Sequence, residues 1–275
     1  IPNGVSIAAL MPVDAPEEEW EALQIVFATS DGDVRRNALS DFTNVMRNGK
    51  IAMKLPDGVE LVNARIADEE DDVVLVSAMG RAIRFPSTDV RVFKSRDSTG
   101  VRGIRLAAGD RVVSMAVIRH FDASPEERAA YLKQRRLMAG APDEAEADED
   151  DAVVDPGQLS PERYAEMAAL EDLILTITVN GAGKLSSSHD YPVRGRGGMG
   201  VSAMDRAMRG GALIAAFPVV ASDQIMLATS TGQSIRVPVD QISFRSRGAG
   251  GVRVFNTGKG EAVVSVARVA EAEQE

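Results

Sequence analysis

Four near-copies of one stretch leave this chain few folds to choose from. Gln24 to Gly32 is the first copy, Asp72 to Gly80 the second, Asp172 to Gly181 the third and Asp223 to Gly232 the fourth. Each is an apolar run closed by a glycine turn, the pattern of a strand entering a hairpin. Gly32 to Gly80 spans 48 residues and Gly181 to Gly232 spans 51, while the middle interval of 101 is one period plus an insertion. A second glycine follows at Gly49, Gly100, Gly200 and Gly251, and each copy then ends in a further apolar strand, 61–66, 112–117, 213–219 and 263–269. Fixed-period self-similarity of this length marks one small structural unit used repeatedly. A four-stranded sheet is too small to fold alone and buries its faces against its neighbours, as propeller blades do. A β-sandwich with accidental similarity is the competing reading, and it gives no reason for glycines and terminal strands to keep register through four copies.

The fold class expected is therefore all-β, a propeller-like repeat of four-stranded blades at residues 22–67, 68–118, 172–221 and 222–270. Residues 1–13 contain Ser6 to Val13, which match the terminal strands of the repeats. Because the first residue is Ile, not Met, the chain is expected to begin inside a longer polypeptide with further repeats upstream. Asp14 to Trp20 reads as an acidic linker, with Trp20 as a packing residue.

Residues 119–171 interrupt the period. Ser124-Pro125-Glu126-Glu127 is a helix start, with a serine cap, proline in the first turn and acids at the positive end of the helix dipole. That helix is predicted to run to Ala139, and a second one from Ser160 to about Leu170. Between them, residues 141–157 are acidic and poor in apolar side chains, which predicts disorder. The insertion reads as helical and acidic, lacking a core of its own. Residues 271–275 form an acidic tail.

Charge is segregated in a way the net value of −10 hides. Residues 120–171 carry 14 acidic and five basic residues, and the two ends add eight more acids, which leaves the repeats at +7. Absence of cysteine excludes a disulfide framework and thiolate metal sites. No apolar run nears the roughly 18 residues of a membrane span, and no signal peptide is visible, so a cytoplasmic setting is expected.

Enzyme signals are poor. His189 lies between Ser188 and Asp190, but a triad needs groups that converge in space, not neighbours in sequence. His120 and His189 are expected on the surface or in loops, and Tyr131, Tyr164 and Tyr191 match no catalytic motif. There is no Walker loop, metal-ligand spacing or dinucleotide fingerprint.

Basic residues are more informative because they recur at equivalent places. Arg36, Arg84 and Arg236 each lie four residues after the first turn glycine, where repeat three has Leu185 preceded by Lys184. Arg35 and Arg81 lie beside the same turns. Around the second turn stand Arg47, Lys50 and Lys54, then Lys94, Arg96, Arg102 and Arg105, then Arg194 and Arg196, then Arg245, Arg247 and Arg253. Repeated cations beside glycines suit sequence-independent phosphate binding, where backbone N–H groups are also accessible. The expectation is a positive band that binds double-stranded DNA.

At these residues the chain resembles the C-terminal domain of the A subunit of bacterial DNA gyrase. The stretches that carry the resemblance are Gly49 to Leu55, Thr99 to Leu106, Asp223 to Met226 and the ending Val269-Ala270-Glu271. It implies a six-bladed β-pinwheel whose blades exchange strands, with blades three to six present here. It further implies wrapping of DNA around the outer edge, in support of ATP-dependent negative supercoiling by a type II topoisomerase. The implied partners are double-stranded DNA, the remainder of the gyrase A subunit and the gyrase B subunit, as a heterotetramer with two copies of each, in the cytoplasm at the nucleoid. No cofactor is implied for this stretch; ATP and Mg2+ belong to the whole enzyme. The family's signature box, Gln-Arg-Arg-Gly-Gly-Lys-Gly, is absent, and Arg194 to Gly200 match it only at Arg196, Gly197, Gly198 and Gly200. Two alternatives stay open: the equivalent domain of topoisomerase IV, which decatenates, and a propeller-type protein-interaction module using its acidic insertion or tail.

Overall fold

In the computed structural model, residues 7–43, 49–140, 157–205 and 210–270 are described. Arg47, nearly all of the acidic stretch 141–157 and the tail 271–275 lie outside them. Repeat one supplies strands β1 (Gln24–Thr29), β2 (Asp33–Ala38) and β3 (Leu61–Ala67). Repeat two supplies β4 (Asp71–Ser77), β5 (Arg81–Pro86), β6 (Val101–Arg102) and β7 (Val112–Arg119). Helices α1 (Pro125–Met138) and α2 (Pro161–Ala169) follow. Repeat three gives β8 (Leu173–Thr178), β9 (Ala182–Ser187), β10 (Val201–Ser202) and β11 (Leu213–Val219). Repeat four gives β12 (Gln224–Thr229), β13 (Ser234–Pro238), β14 (Val252–Arg253) and β15 (Val263–Val269).

The sheets run β3-β1-β2-β6, β10-β5-β4-β7, β11-β8-β9-β14 and β13-β12-β15. The long terminal strand of each repeat joins its own sheet, whereas the two-residue strand after the second glycine joins the sheet of the preceding repeat. The expected all-β, propeller-like architecture is thus present, with strands exchanged between consecutive repeats. Residues 7–13 form no strand; Met11 and Val13 instead pack beside Trp20 against Ile25 and Phe27.

One turn recurs in all four hairpins, and its residues explain it. Gly32, Gly80, Gly181 and Gly232 donate their N–H to the carbonyls of Thr29, Ser77, Thr178 and Thr229, each at 3.0 Å. The glycines have φ between 78° and 91°, a left-handed conformation that favours glycine. In the first three turns the buried hydroxyl of Thr29, Ser77 or Thr178 accepts from the amide of Asp33, Arg81 or Ala182. A hydroxyl residue three places before the glycine is therefore part of the turn, not of the core.

The chain divides into two compact units, one of Ile1–Leu75, Ile83–His120 and Val193–Gly200, the other of Val76–Ala82, Phe121–Pro192 and Val201–Glu275. In the first, Val26, Val34, Val73, Leu75, Phe85 and Ile104 form the main core. In the second, Leu175, Ile177, Ile225, Leu227, Val239 and Val263 do. These side chains are aliphatic for the most part, and full burial of each is worth about 1.5–3 kcal/mol.

α1 starts at a capping box. Ser124 Oγ accepts from the Glu127 amide at 3.2 Å, and Glu127 Oε2 accepts from the Ser124 amide at 2.8 Å. The helices enclose a small core of Tyr131, Leu132 and Met167, which corrects the expectation of an insertion lacking one. His189 completes the packing and is 3% exposed, not on the surface. Its Nε2 lies 2.8 Å from the Met167 carbonyl oxygen and its ring meets the Tyr131 ring edge-on at 5.0 Å. His120 is part-exposed and lies 2.8 Å from Asp72 Oδ1.

Candidate nucleic-acid interface

Burial sorts the sixteen candidate cations into two groups with different work to do. Five point inward. Arg35 is fully buried, stacks over the Phe93 ring at 4.7 Å and donates to Asn37 Oδ1 and to the Ser98 carbonyl at 2.7 and 2.6 Å. Arg36 donates from Nε to the Val90 carbonyl at 2.6 Å. Burial holds both guanidiniums below their usual pKa. Arg84 donates to the buried Asp72 carboxylate at 2.7 Å and to the Arg119 carbonyl at 3.0 Å. Lys184, also fully buried, donates to the carbonyls of Ser246, Arg247 and Ala249, one for each of its three N–H bonds. Arg247 donates to the Asp190 and Ser202 carbonyls.

These five are corrected from the expected outer band: in the described structure they are latches. Each holds loop or strand backbone, and Arg35, Arg36, Lys184 and Arg247 tie two repeats together. The physical reason is the strand exchange, which lays the next repeat over the outer strand of the first three hairpins. Arg36 and Arg84 are 4% exposed in covered hairpins, whereas Arg236, at the same place in β13, is exposed.

The other candidates keep contact with solvent. Lys50, Lys54, Arg102, Arg105, Arg194, Arg196, Arg236 and Arg253 are exposed, and Arg81, Arg96 and Arg245 are half-buried. Lys50 Nζ donates to the Asp41 and Thr43 carbonyls at 2.7 and 3.0 Å, and Arg253 sits on β14 opposite Ala182.

Four of the exposed cations come together within the first unit. The glycine-rich loop 194–200 lies on the turn 102–105: Gly197 donates to the Gly103 carbonyl at 2.6 Å, and Arg105 donates from its backbone to the Gly198 carbonyl at 2.8 Å. Arg196 fixes the lock from its side chain, donating to the Arg102 and Asp89 carbonyls at 3.0 and 2.9 Å. Arg102 is half-exposed and leans on Asp33 at 3.2 Å. Burial raises the Asp33 pKa, an effect the neighbouring Arg102 partly offsets. Arg102, Arg105, Arg194 and Arg196 thus share two interlocked loops from consecutive repeats, held by backbone hydrogen bonds. An exposed guanidinium set on a fixed backbone can meet phosphate oxygens with little further ordering.

Arg91 was missed as a candidate. It is exposed and stacks over Phe93 at 4.2 Å, on the ring that also holds Arg35. Its signal was the Arg-x-Phe spacing after a short turn, which says nothing by itself. Among the described residues no group of three or more His, Cys, Asp or Glu is placed to hold a metal ion. No helix of the described residues is long and apolar enough to cross a membrane.

The family described as the DNA gyrase C-terminal domain, a beta-propeller, matches residues 24–68, 71–119, 172–219 and 223–270, and the helical insertion falls in the gap between matches. The DNA gyrase A subunit of Granulibacter bethesdensis is 47% identical over 97% of this chain, and that of Escherichia coli is 32% identical over 96%. The chain spans 30% and 24% of those relatives' lengths. Among solved structures, a DNA gyrase A C-terminal domain superposes with a TM-score of 0.65 at 21% identity, covering 91% of this chain and 67% of the other. The C-terminal domain of a DNA topoisomerase IV gives 0.71 at 19% identity, covering 98% and 68%. At such identities the two superpositions speak for the fold alone. With four separate family matches laid over its four repeats, the chain belongs to the DNA gyrase C-terminal domain family of beta-propellers.

Proposed function

We propose that this chain binds and wraps double-stranded DNA as the C-terminal domain of a DNA gyrase A subunit, in support of ATP-dependent negative supercoiling. The observation that carries the reading is the cluster of Arg102, Arg105, Arg194 and Arg196 on two interlocked loops. Phosphate contacts of this kind hold a duplex without reading its sequence. Chemistry on DNA, with ATP and Mg2+, belongs to the remainder of the gyrase A subunit and to the gyrase B subunit, which are the proposed partners at the nucleoid. A decatenating topoisomerase IV is the second reading; the fold likeness suits it equally, but the relatives at 32–47% identity are gyrase proteins.

Fluorescence anisotropy of the whole chain with a duplex of several helical turns tests the proposal. Binding is expected to weaken steeply as salt rises, and to be indifferent to base sequence. Affinity that does not change with salt, or no binding at low salt, overturns it.

A further inference from the structure

The first three hairpins and the segments laid on them share one place that the sequence disguises. An isolated parallel bridge joins Arg36 with Val92, Arg84 with Val193 and Leu185 with Phe244. The amide after each bridge then donates back to the hairpin, Phe93 to the Arg36 carbonyl, Arg194 to that of Arg84 and Arg245 to that of Leu185, each at 2.8 Å. Residues 93, 194 and 245 are therefore structural equivalents. Repeats three and four carry arginine there, and repeat two carries phenylalanine. Counting back from the second glycine misses the match, because Phe93 lies seven residues before Gly100 whereas Arg194 and Arg245 lie six before Gly200 and Gly251.

Repeat two nonetheless has a guanidinium over that place. Arg91 sets its Cζ above the Phe93 ring at 4.2 Å and is exposed. The ring beneath it is fixed. Phe93 is 4% exposed and part of the main core, its amide is held by Arg36, and its carbonyl accepts from Asn37 Nδ2 at 2.9 Å. Arg35 lies on the same ring at 4.7 Å but is fully buried, so of the two guanidiniums Arg91 is the one that solvent reaches. Lys94, exposed, and Arg96, half-buried, follow on the same segment. The carboxylates that act on Arg35 are those of Asp97 and of Asp41, which accepts from Asn37 Nδ2 at 3.1 Å. Burial is the main cause that holds the Arg35 pKa down, and the charges of Arg91 and Arg96 add to it, against those of Asp97 and Asp41. Cations gathered about one ring in this way favour an anion among them.

We infer that Arg91, carried on the Phe93 ring, is the DNA-phosphate contact of repeat two at the place that Arg194 and Arg245 hold in the repeats after it. The inference rests on the DNA-binding reading above and extends the interface to a residue outside the cluster of Arg102, Arg105, Arg194 and Arg196. Phe93 is the positioning residue and acts through Arg91. A planar guanidinium stacked on a fixed aromatic face gives up little freedom when it meets phosphate oxygens, and its N–H edge stays open to them. Phenylalanine in place of arginine at residue 93 thus moves the charge two residues back along the chain without removing it.

Fluorescence anisotropy of the whole chain with a duplex of several helical turns, read from about 50 to about 200 mM salt, tests it. Loss of one phosphate contact lowers the salt slope by about 0.9, so the weakening across that range shrinks by about three- to fourfold. Arg91→Gln is expected to show this, as Arg194→Gln does. Phe93→Leu keeps every charge and is expected to raise Kd by about two- to fivefold, the worth of the stacked guanidinium. In a chain that already carries Arg91→Gln it is expected to cost nothing further, whereas a ring that only packs the core costs the same in both backgrounds. An Arg91→Gln slope equal to the parent's, beside a reduced one for Arg194→Gln, overturns the assignment of Arg91 and leaves the DNA reading standing. A Phe93→Leu cost that is equal in both backgrounds, or absent from both, overturns the role of the ring. A parent chain whose binding ignores salt overturns the DNA reading and this inference with it.

Discussion

Replacing Arg84 by alanine separates the latch role from the DNA-binding role. Arg84 Nε lies 2.7 Å from Asp72 Oδ2, and the two side chains are 3% and 0% exposed. Asp72 Oδ1 keeps His120 at 2.8 Å, but that ring is part-exposed and is no substitute for the lost guanidinium. Removing one partner of a buried pair leaves the other charge in a low-dielectric site, at a cost of about 3–5 kcal/mol. Against a typical total of about 5–15 kcal/mol that is a large fraction. Trp20 gives the readout, being the only tryptophan and packed beside Phe27 and Ile25 in the same compact unit as Arg84. Urea unfolding followed by its fluorescence is expected to show the loss. A paired replacement, Arg84→Met with Asp72→Leu, is expected to recover most of it, because no buried charge then lacks a partner. A loss below about 1 kcal/mol, the level of an exposed pair, refutes the reasoning.

Lys184→Met leaves three inward-facing carbonyls with no ammonium and is expected to cost about 1–3 kcal/mol, read as faster amide exchange in residues 243–250. Glu127 gives a pH signature. The side-chain hydrogen bond from Arg163, with that from the Ser124 amide, holds its carboxyl below the ordinary value of 4.5. A depressed carboxylate contributes its stability in full above the ordinary value and loses it as pH falls through the lower folded one. Amide protection in the first turn of α1 is therefore expected to fall on acidification below about pH 4.5, and to fall less in a Glu127→Gln chain, where Glu126, held low by hydrogen bonds to its own amide and to Ser124, still titrates. Protection that is flat with pH in both chains counts against the contact.

The repeat was legible because its punctuation is chemical. A left-handed position calls for glycine, and a hydroxyl three residues earlier closes the turn, so both recur in sequence. Apolar runs such as Val73 to Val76 mark strands buried on both faces. Exposure of the cations was not legible, since it depends on which repeat lies over which hairpin. A hint was present: Arg35 and Lys184 occupy the place held by Ile83 and Ile235, and an aliphatic alternative marks an inward position. Arg36 and Arg84 carry the same hint in Leu185, their buried counterpart in repeat three, but it is blurred because Arg236 at that place is exposed. Nor could the sequence show that loop 194–200 meets turn 102–105 across about a hundred residues, a closure set by tertiary packing and not by local spacing. His189 went the same way, drawn inward by the aromatic rings of the insertion.

The most direct test of the central claim is the salt dependence of duplex binding by a chain carrying Arg102→Gln, Arg105→Gln, Arg194→Gln and Arg196→Gln together. Each phosphate contact adds about 0.9 to the slope of log affinity against log salt, so the slope is expected to fall by about 3–4 in a variant that still unfolds cooperatively in urea, at a somewhat lower midpoint because the Arg196 and Arg102 side-chain contacts are lost. An unaltered slope in a folded quadruple variant contradicts the account.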